Sequence, residues 1–324
     1  MVDLQELENR TSDGKEVVIW RATAGSDPPE RLSDTERKRV VVIAPGYGRR
    51  MRHMAAICLY LVRNGFVVYR YDSANHVGLS EGDFSANTLS ANLRSLRTTL
   101  DLALAKEQVQ EVGIVGASMS ARVALRLAAH DRRVAWLIGL FGVVNVLRTA
   151  SAVFGVDYQG CSCEQLPEWQ VFENKRFDAR GFCRDAYDQG WDSVQGTLAD
   201  LAMVDCPVIN FCGSSDAWVD VAEVRAVFAQ PSPYLRRLYE LAYVEHDLAR
   251  NPVAARQVLR QLSESALDLA AVPAPVAEPS FEEIVDRLVL ERKLEHESAQ
   301  RRSADLTLGS SSTAHARTRK EGLE

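Results

Sequence analysis

Ser118 is the residue of this chain best placed by its neighbours to do covalent chemistry. Ile114-Val115-Gly116-Ala117-Ser118-Met119-Ser120-Ala121-Arg122-Val123-Ala124 passes from β-type residues into good helix formers. A serine at a sharp strand-to-helix turn needs small residues two positions to either side, so that its Oγ stands clear above the helix N-terminus. Gly116 and Ser120 are those neighbours, the second in place of the more usual glycine. A serine so held can act as a nucleophile, and the Met119 N–H at the helix start can donate to the oxyanion that its attack creates. A plain helix N-cap is the competing reading of Ser118. Ser120, inside the first helical turn, is the rival nucleophile.

A weakly acidic hydroxyl needs a base, and the base needs an orienting carboxylate; in a strand-turn-helix setting these follow in the chain order Ser, Asp, His. Asp216 follows an apolar strand through Gly213-Ser214-Ser215, and His246 follows the next strand in Val244-Glu245-His246-Asp247-Leu248. Asp220 competes with Asp216, and either could be an ordinary turn or cap carboxylate. His130 lies on a helix, His296 and His315 lie in the charged end region, and His53 and His76 are candidates for supporting roles. Pro45-Gly46-Tyr47-Gly48 after an early strand lets backbone approach a substrate, which makes the Tyr47 N–H the second oxyanion donor. This glycine pair has neither Walker-loop nor dinucleotide-fingerprint spacing, so no cofactor is expected. Six cysteines (Cys58, Cys161, Cys163, Cys183, Cys206 and Cys212) include no Cys-x-x-Cys pair, so no metal is expected and reduced thiols are. Cys58 and Cys212 fall in apolar contexts and read as inert core thiols.

The elements that must position these groups alternate. Lys15 to Ala22, Val40 to Ala44, Phe66 to Tyr71, Val112 to Val115, Val134 to Phe141, Pro207 to Cys212 and Leu235 to Ala242 read as strands. Met51 to Asn64, Ala91 to Ala105 and Pro252 to Ala271 carry helical spacing. Near-continuous apolar strands between helices predict an α/β fold, a mostly parallel sheet with helices on both faces. Residues 1–145 and 196–271 form its two parts. The stretch 146–195, where aromatics, Gly and Cys mix without a period, is an inserted lid. Residues 272–298 form a Pro- and Ala-rich connector with a docking helix from Phe281 to Ser298. The polar tail 299–324 is expected to be disordered.

Composition narrows the function classes. In 324 residues, 38 Lys and Arg stand against 44 Asp and Glu, a net charge of −6 that draws the chain to no phosphate backbone, so nucleic acid is not an expected partner. The start, MVDLQELENRTSDGKEVVIW, is acidic where a signal peptide is basic and then apolar, and no apolar run reaches bilayer length. A cytoplasmic protein without a membrane span is expected.

Several runs then carry a resemblance. Ala44-Pro45-Gly46-Tyr47-Gly48-Arg49-Arg50-Met51, Tyr71-Asp72-Ser73 with His76-Val77-Gly78-Leu79-Ser80, the Ser118 segment, Gly142-Val143-Val144-Asn145, Asp216-Ala217-Trp218-Val219, His246-Asp247-Leu248 and Glu291-Arg292-Lys293-Leu294 together resemble the acyl-transferase component of the bacterial bioluminescence fatty acid reductase system, an acyl-ACP thioesterase family of the α/β-hydrolase fold. The likeness covers nearly everything before the polar tail. It implies a Ser118, Asp216, His246 triad that takes a fatty or polyketide-type acyl chain from acyl carrier protein or CoA and passes it to water or to another acceptor, possible acceptor enzymes included. The chain departs from the family at Gly116, where the luminescence proteins tend to have Ala, and in the lid cysteines. Carrier proteins are acidic, so Arg49, Arg50 and Arg52 beside the oxyanion loop are candidates for carrier docking; the alternative is that they hold the loop by ion pairs. An ester hydrolase for small diffusible esters and a non-catalytic carrier-binding protein are the other function classes.

Overall fold

A computed structural model of the protein describes residues 2–25 and 38–318, and residues 319–324 of the expected tail lie outside that range. The chain opens with a hairpin, β1 (Val2–Arg10) and β2 (Glu16–Ala24), then enters β3 (Arg39–Ala44). After a 3-10 turn at Met51–Met54 come α1 (Ala55–Arg63), β4 (Phe66–Tyr71), α2 (Leu89–Glu107), β5 (Val112–Ala117), α3 (Met119–His130) and β6 (Val134–Leu140). The stretch expected to form a lid holds α4 (Val146–Phe154), a small hairpin of β7 (Trp169–Phe172) and β8 (Lys175–Asp178), and α5 (Ala179–Asp188). The core resumes with α6 (Val194–Met203), β9 (Val208–Gly213), α7 (Val221–Phe228), β10 (Arg236–Leu241) and α8 (Pro252–Leu269), and α9 (Phe281–Thr318) follows.

Eight strands form one sheet in the order β1-β2-β4-β3-β5-β6-β9-β10. The β1-β2 and β2-β4 pairs are antiparallel, and from β4 to β10 every pair is parallel. The strands are apolar on both sides because both sides are covered. Val42 and Ala44 of β3 and Ile114 of β5 pack into one buried cluster with α2 and α3, while Val41, Ile43 and Val115 point into the opposite cluster with α1 and α8. Period-2 side-chain alternation in a two-faced sheet leaves no polar face, which is why these strands read as continuous apolar runs. The expected α/β-hydrolase fold is thus the one observed.

Three expectations are corrected. β1 was not foreseen, because its sequence is polar overall; it is a sheet edge whose residues alternate between half-buried and exposed positions over most of its length. The region from 299 onward was expected to be disordered, yet α9 continues through it to Thr318. Its residue Arg302 forms ion pairs with Glu6, Glu8 and Glu16 on the β1-β2 hairpin, and Ser298 donates to Glu6 at 2.8 Å. Reduced thiols were expected throughout, yet Cys163 and Cys183 form a disulfide with their Cα atoms 5.6 Å apart, because the lid folds the two segments against each other. Cys58, Cys206 and Cys212 are free and buried, and Cys161 is free and half-buried. Among the described residues no helix is long and apolar enough to cross a membrane.

Candidate active site

Ser118 sits where central strand β5 turns into α3, with φ 52° and ψ −122°. A non-glycine residue in this conformation is strained by about 1–3 kcal/mol and persists only where its surroundings fix it. Here they do. The Ser118 N–H donates to the Leu140 carbonyl at 2.8 Å, and the Ser118 carbonyl accepts from the Ala121 N–H at 3.0 Å and the Val143 N–H at 3.3 Å. Gly116 lets α3 start close against β5: a Cβ there would lie 2.7 Å from Ala121 Cα and 2.9 Å from the Ser120 carbonyl, so a larger residue requires the turn to shift. The rival Ser120 is buried, and its hydroxyl donates to the Pro45 carbonyl at 2.5 Å, tying the elbow to the oxyanion loop.

The carboxyl ends of β9 and β10 deliver the other two groups. His246 Nε2 lies 2.8 Å from Ser118 Oγ, and His246 Nδ1 lies 2.7 Å from Asp216 Oδ2. An ionised carboxylate can only accept, so the neutral ring carries its proton on Nδ1 and leaves Nε2 to receive the serine proton. The other Asp216 oxygen accepts the N–H groups of Trp218 and Val219 at 2.9 and 3.0 Å, which fixes the carboxylate in a side chain only 1% exposed. Phe141 and Trp218 flank the imidazole, with ring centroids 5.9 and 4.8 Å away. Asp220 is not in this chain of contacts: it caps α7 and pairs with Arg148. Such an arrangement can deprotonate a hydroxyl and later return the proton to a leaving group.

Neither Tyr47 nor Met119 donates its backbone N–H to another backbone carbonyl among the described residues. Both residues line a pocket of about 400 Å³, its open mouth included, together with Ser118, Val153, Phe154, Phe172, Phe182 and Trp218. The loop that carries Tyr47 is fixed from below and above. His76, buried beneath it, accepts the Gly48 N–H on Nε2 at 3.0 Å. Burial holds its imidazole neutral, with a pKa pulled down to about 3. Gly48 has φ +73°, and a Cβ there would strike the Phe172 ring at 2.5 Å, so the lid hairpin closes directly on the loop.

The three loop arginines have partners within the chain. Arg49 pairs with Glu173 of the lid hairpin at 3.0 Å, and Arg50 and Arg52 share Glu295 of α9 at 3.1 and 2.7 Å. These ion pairs tie the loop to the 169–178 hairpin and to α9, as the loop-holding alternative requires, while the Arg49 and Arg50 side chains remain 36% and 41% exposed.

A family model described as acyl transferase matches residues 9–300 of the chain. The chain belongs to the acyl transferase family. Among curated members, the acyl transferase of Vibrio harveyi is 32% identical over 296 residues, 90% of this chain and 94% of that one. That of Photobacterium leiognathi is 31% identical over 288 residues, covering 88% and 89%. Solved structures are more distant. Est1E from Butyrivibrio proteoclasticus with bound ferulic acid superposes with a TM-score of 0.65 at 18% identity, over 81% of this chain and 99% of that one. DcsB in complex with its substrate analogue gives 0.63 at 16%, over 82% and 99%. At these identities the two structures speak for the fold alone.

In this acyl transferase the sequence order located Ser118, Asp216 and His246, and the structure brings all three together. It did not single out Trp218 against His246 or assign His76 to Gly48. Trp218 was already visible two residues beyond Asp216, but nothing local said that its ring would turn back onto the histidine.

Proposed function

We propose that this protein transfers acyl groups from thioester donors, acyl carrier protein or acyl-CoA, through a covalent intermediate on Ser118. The observation that carries the proposal is the unbroken line of contacts from Asp216 through His246 to Ser118 Oγ at an apolar pocket. His246 Nε2 accepts the Ser118 proton as Oγ attacks the thioester carbonyl, and the Tyr47 and Met119 N–H groups receive the oxyanion. As the tetrahedral species collapses, the C–S bond breaks and the departing sulfur takes the proton from His246. Water or another hydroxyl or thiol acceptor then attacks the acyl-enzyme, giving its proton to His246, and Ser118 is regenerated. Asp216 keeps the ring in register and offsets its transient charge.

A fatty or polyketide-type acyl chain suits the aromatic and aliphatic lining around Ser118. Family membership favours a thioester donor over a small diffusible ester. Steady-state kcat/KM on acyl carrier protein, acyl-CoA and nitrophenyl esters of one chain length tests this. Higher values on a thioester than on the intrinsically more labile nitrophenyl ester support acyl transfer from thioesters; efficient turnover of the nitrophenyl ester alone makes the protein a carboxylic ester hydrolase.

A further inference from the structure

The aromatic cluster behind the Ser118 pocket contains two phenols whose oxygens have no hydrogen-bond partner among the described residues. Tyr47 packs among Phe84, Phe172, Phe177 and Phe182, with ring centroids 5.3 to 6.1 Å away, and its hydroxyl is buried without a partner. Tyr158 is fully buried against Phe154, 5.9 Å between centroids, and its hydroxyl is also unpartnered. The two belong to one ring cluster: Phe177 lies 6.0 Å from Tyr47 and 5.1 Å from Phe154, which packs on Tyr158. Burial first, and the charge of the Tyr158 phenol second, push the Tyr47 phenol well above its ordinary pKa. Phe154 and Tyr47 both line the pocket.

A buried hydroxyl with no partner costs about 1–3 kcal/mol, and phenylalanine would fill either position without it. The surrounding rings show that the region accepts phenylalanine readily. A wall meant only for a saturated chain has no use for two phenols; a wall meant for a chain carrying oxygen does. A phenol can both donate and accept, so a pair of them satisfies both roles of an alcohol.

We infer that the acyl pocket recognises a hydroxylated acyl chain, its alcohol oxygen hydrogen-bonded by Tyr47 with Tyr158 beside it. This rests on the reading of Ser118 as the acyl acceptor from thioesters. A site with buried hydrogen-bonding groups discriminates against the analogue that lacks the matching group, because binding the plain chain leaves the phenols unpaired. One neutral hydrogen bond of ordinary strength corresponds to about a tenfold preference.

The test uses the full-length protein and N-acetylcysteamine thioesters of decanoic acid and of its monohydroxylated isomers at each position from C3 to C9. Single-turnover loading of Ser118 is followed by intact-protein mass spectrometry. At least one hydroxylated isomer is expected to load about tenfold faster than decanoyl, and that ratio is expected to fall towards one in Tyr47→Phe and in Tyr158→Phe. If no isomer outpaces decanoyl, or if the advantage survives both substitutions, the inference is wrong. Equal loading of all isomers overturns it alone, whereas failure of every thioester to load overturns the thioester reading of Ser118 as well. Using two separate Tyr→Phe variants keeps the outcome readable if one of them folds poorly.

Discussion

Three side chains drawn from widely separated parts of the chain meet within 2.8 Å contacts around Ser118, and a fourth, His76, holds the loop that completes the site. His76 gives a pH signature. Its folded pKa lies near 3, against about 6.5 when unfolded, so the folded state binds fewer protons between those values. The stability tied to His76 is therefore complete above about pH 6.5 and is lost at about 1.4 kcal/mol per pH unit as pH falls towards 3. Asp72, raised to about 7 by burial, works in the opposite sense, losing its contribution as pH rises from about 4 to 7. The two slopes offset each other in the wild type, so the difference between wild type and His76→Gln is the quantity to measure. Glutamine keeps an acceptor for the Gly48 N–H but does not titrate. Urea unfolding of both proteins from pH 4 to 7 is expected to show that difference changing by about 1.4 kcal/mol per unit below pH 6.5 and levelling off above it. The serine, aspartate and histidine were legible in sequence because motif and chain order constrain them. His76 was legible as a candidate for a supporting role but not its partner, a glycine 28 residues earlier.

Among the elements, the core strands were legible for a physical reason: covering both faces of the sheet turns them into short apolar runs, rich in β-branched residues and bounded by turn formers. The stretch 146–195 was set apart as an insertion, but its internal elements were not legible, because they are short and held by cross-contacts. The β7-β8 hairpin has four residues per strand, and the Cys163–Cys183 disulfide joins the segment before it to α5. Cys183 is the neighbour of Phe182, which lines the pocket. Replacing Cys163 and Cys183 together by serine is expected to lower the unfolding free energy by about 3 kcal/mol on the chain-entropy account. It is also expected to raise KM for the acyl donor while kcat holds, since the crosslink shapes the pocket wall and not the Ser118 contacts. Chemical denaturation and steady-state kinetics check the two effects separately; an unchanged KM would mean that the crosslink leaves the pocket untouched.

At the scale of the whole molecule, α9 binds the two ends of the fold together. Arg70 of β4 and Glu291 are both fully buried and meet through two bonds of 2.7 and 2.8 Å, and Arg287 adds a third at 2.6 Å. A turn later Glu295 takes Arg50 and Arg52 beside the oxyanion loop, and Arg302 reaches the β1-β2 hairpin. The stretch 281–298 was read as a docking helix and only the residues from 299 onward as a polar, disordered tail; Arg302 of that tail is instead a partner for charges far away in sequence. Removing one member of a buried ion pair strands the other, at a cost of about 3–5 kcal/mol. Glu291→Gln should therefore lower unfolding free energy by that amount in urea titrations, and a loss under about 1 kcal/mol would show that Arg70 finds other compensation. The central claim remains covalent acyl transfer at Ser118, and its most direct measurement is intact-protein mass spectrometry after brief mixing with acyl thioesters, wild type beside Ser118→Ala. The account predicts an adduct of the acyl mass on the wild type and none on the variant; an adduct that persists in Ser118→Ala, or thioester turnover that survives the substitution, would contradict it.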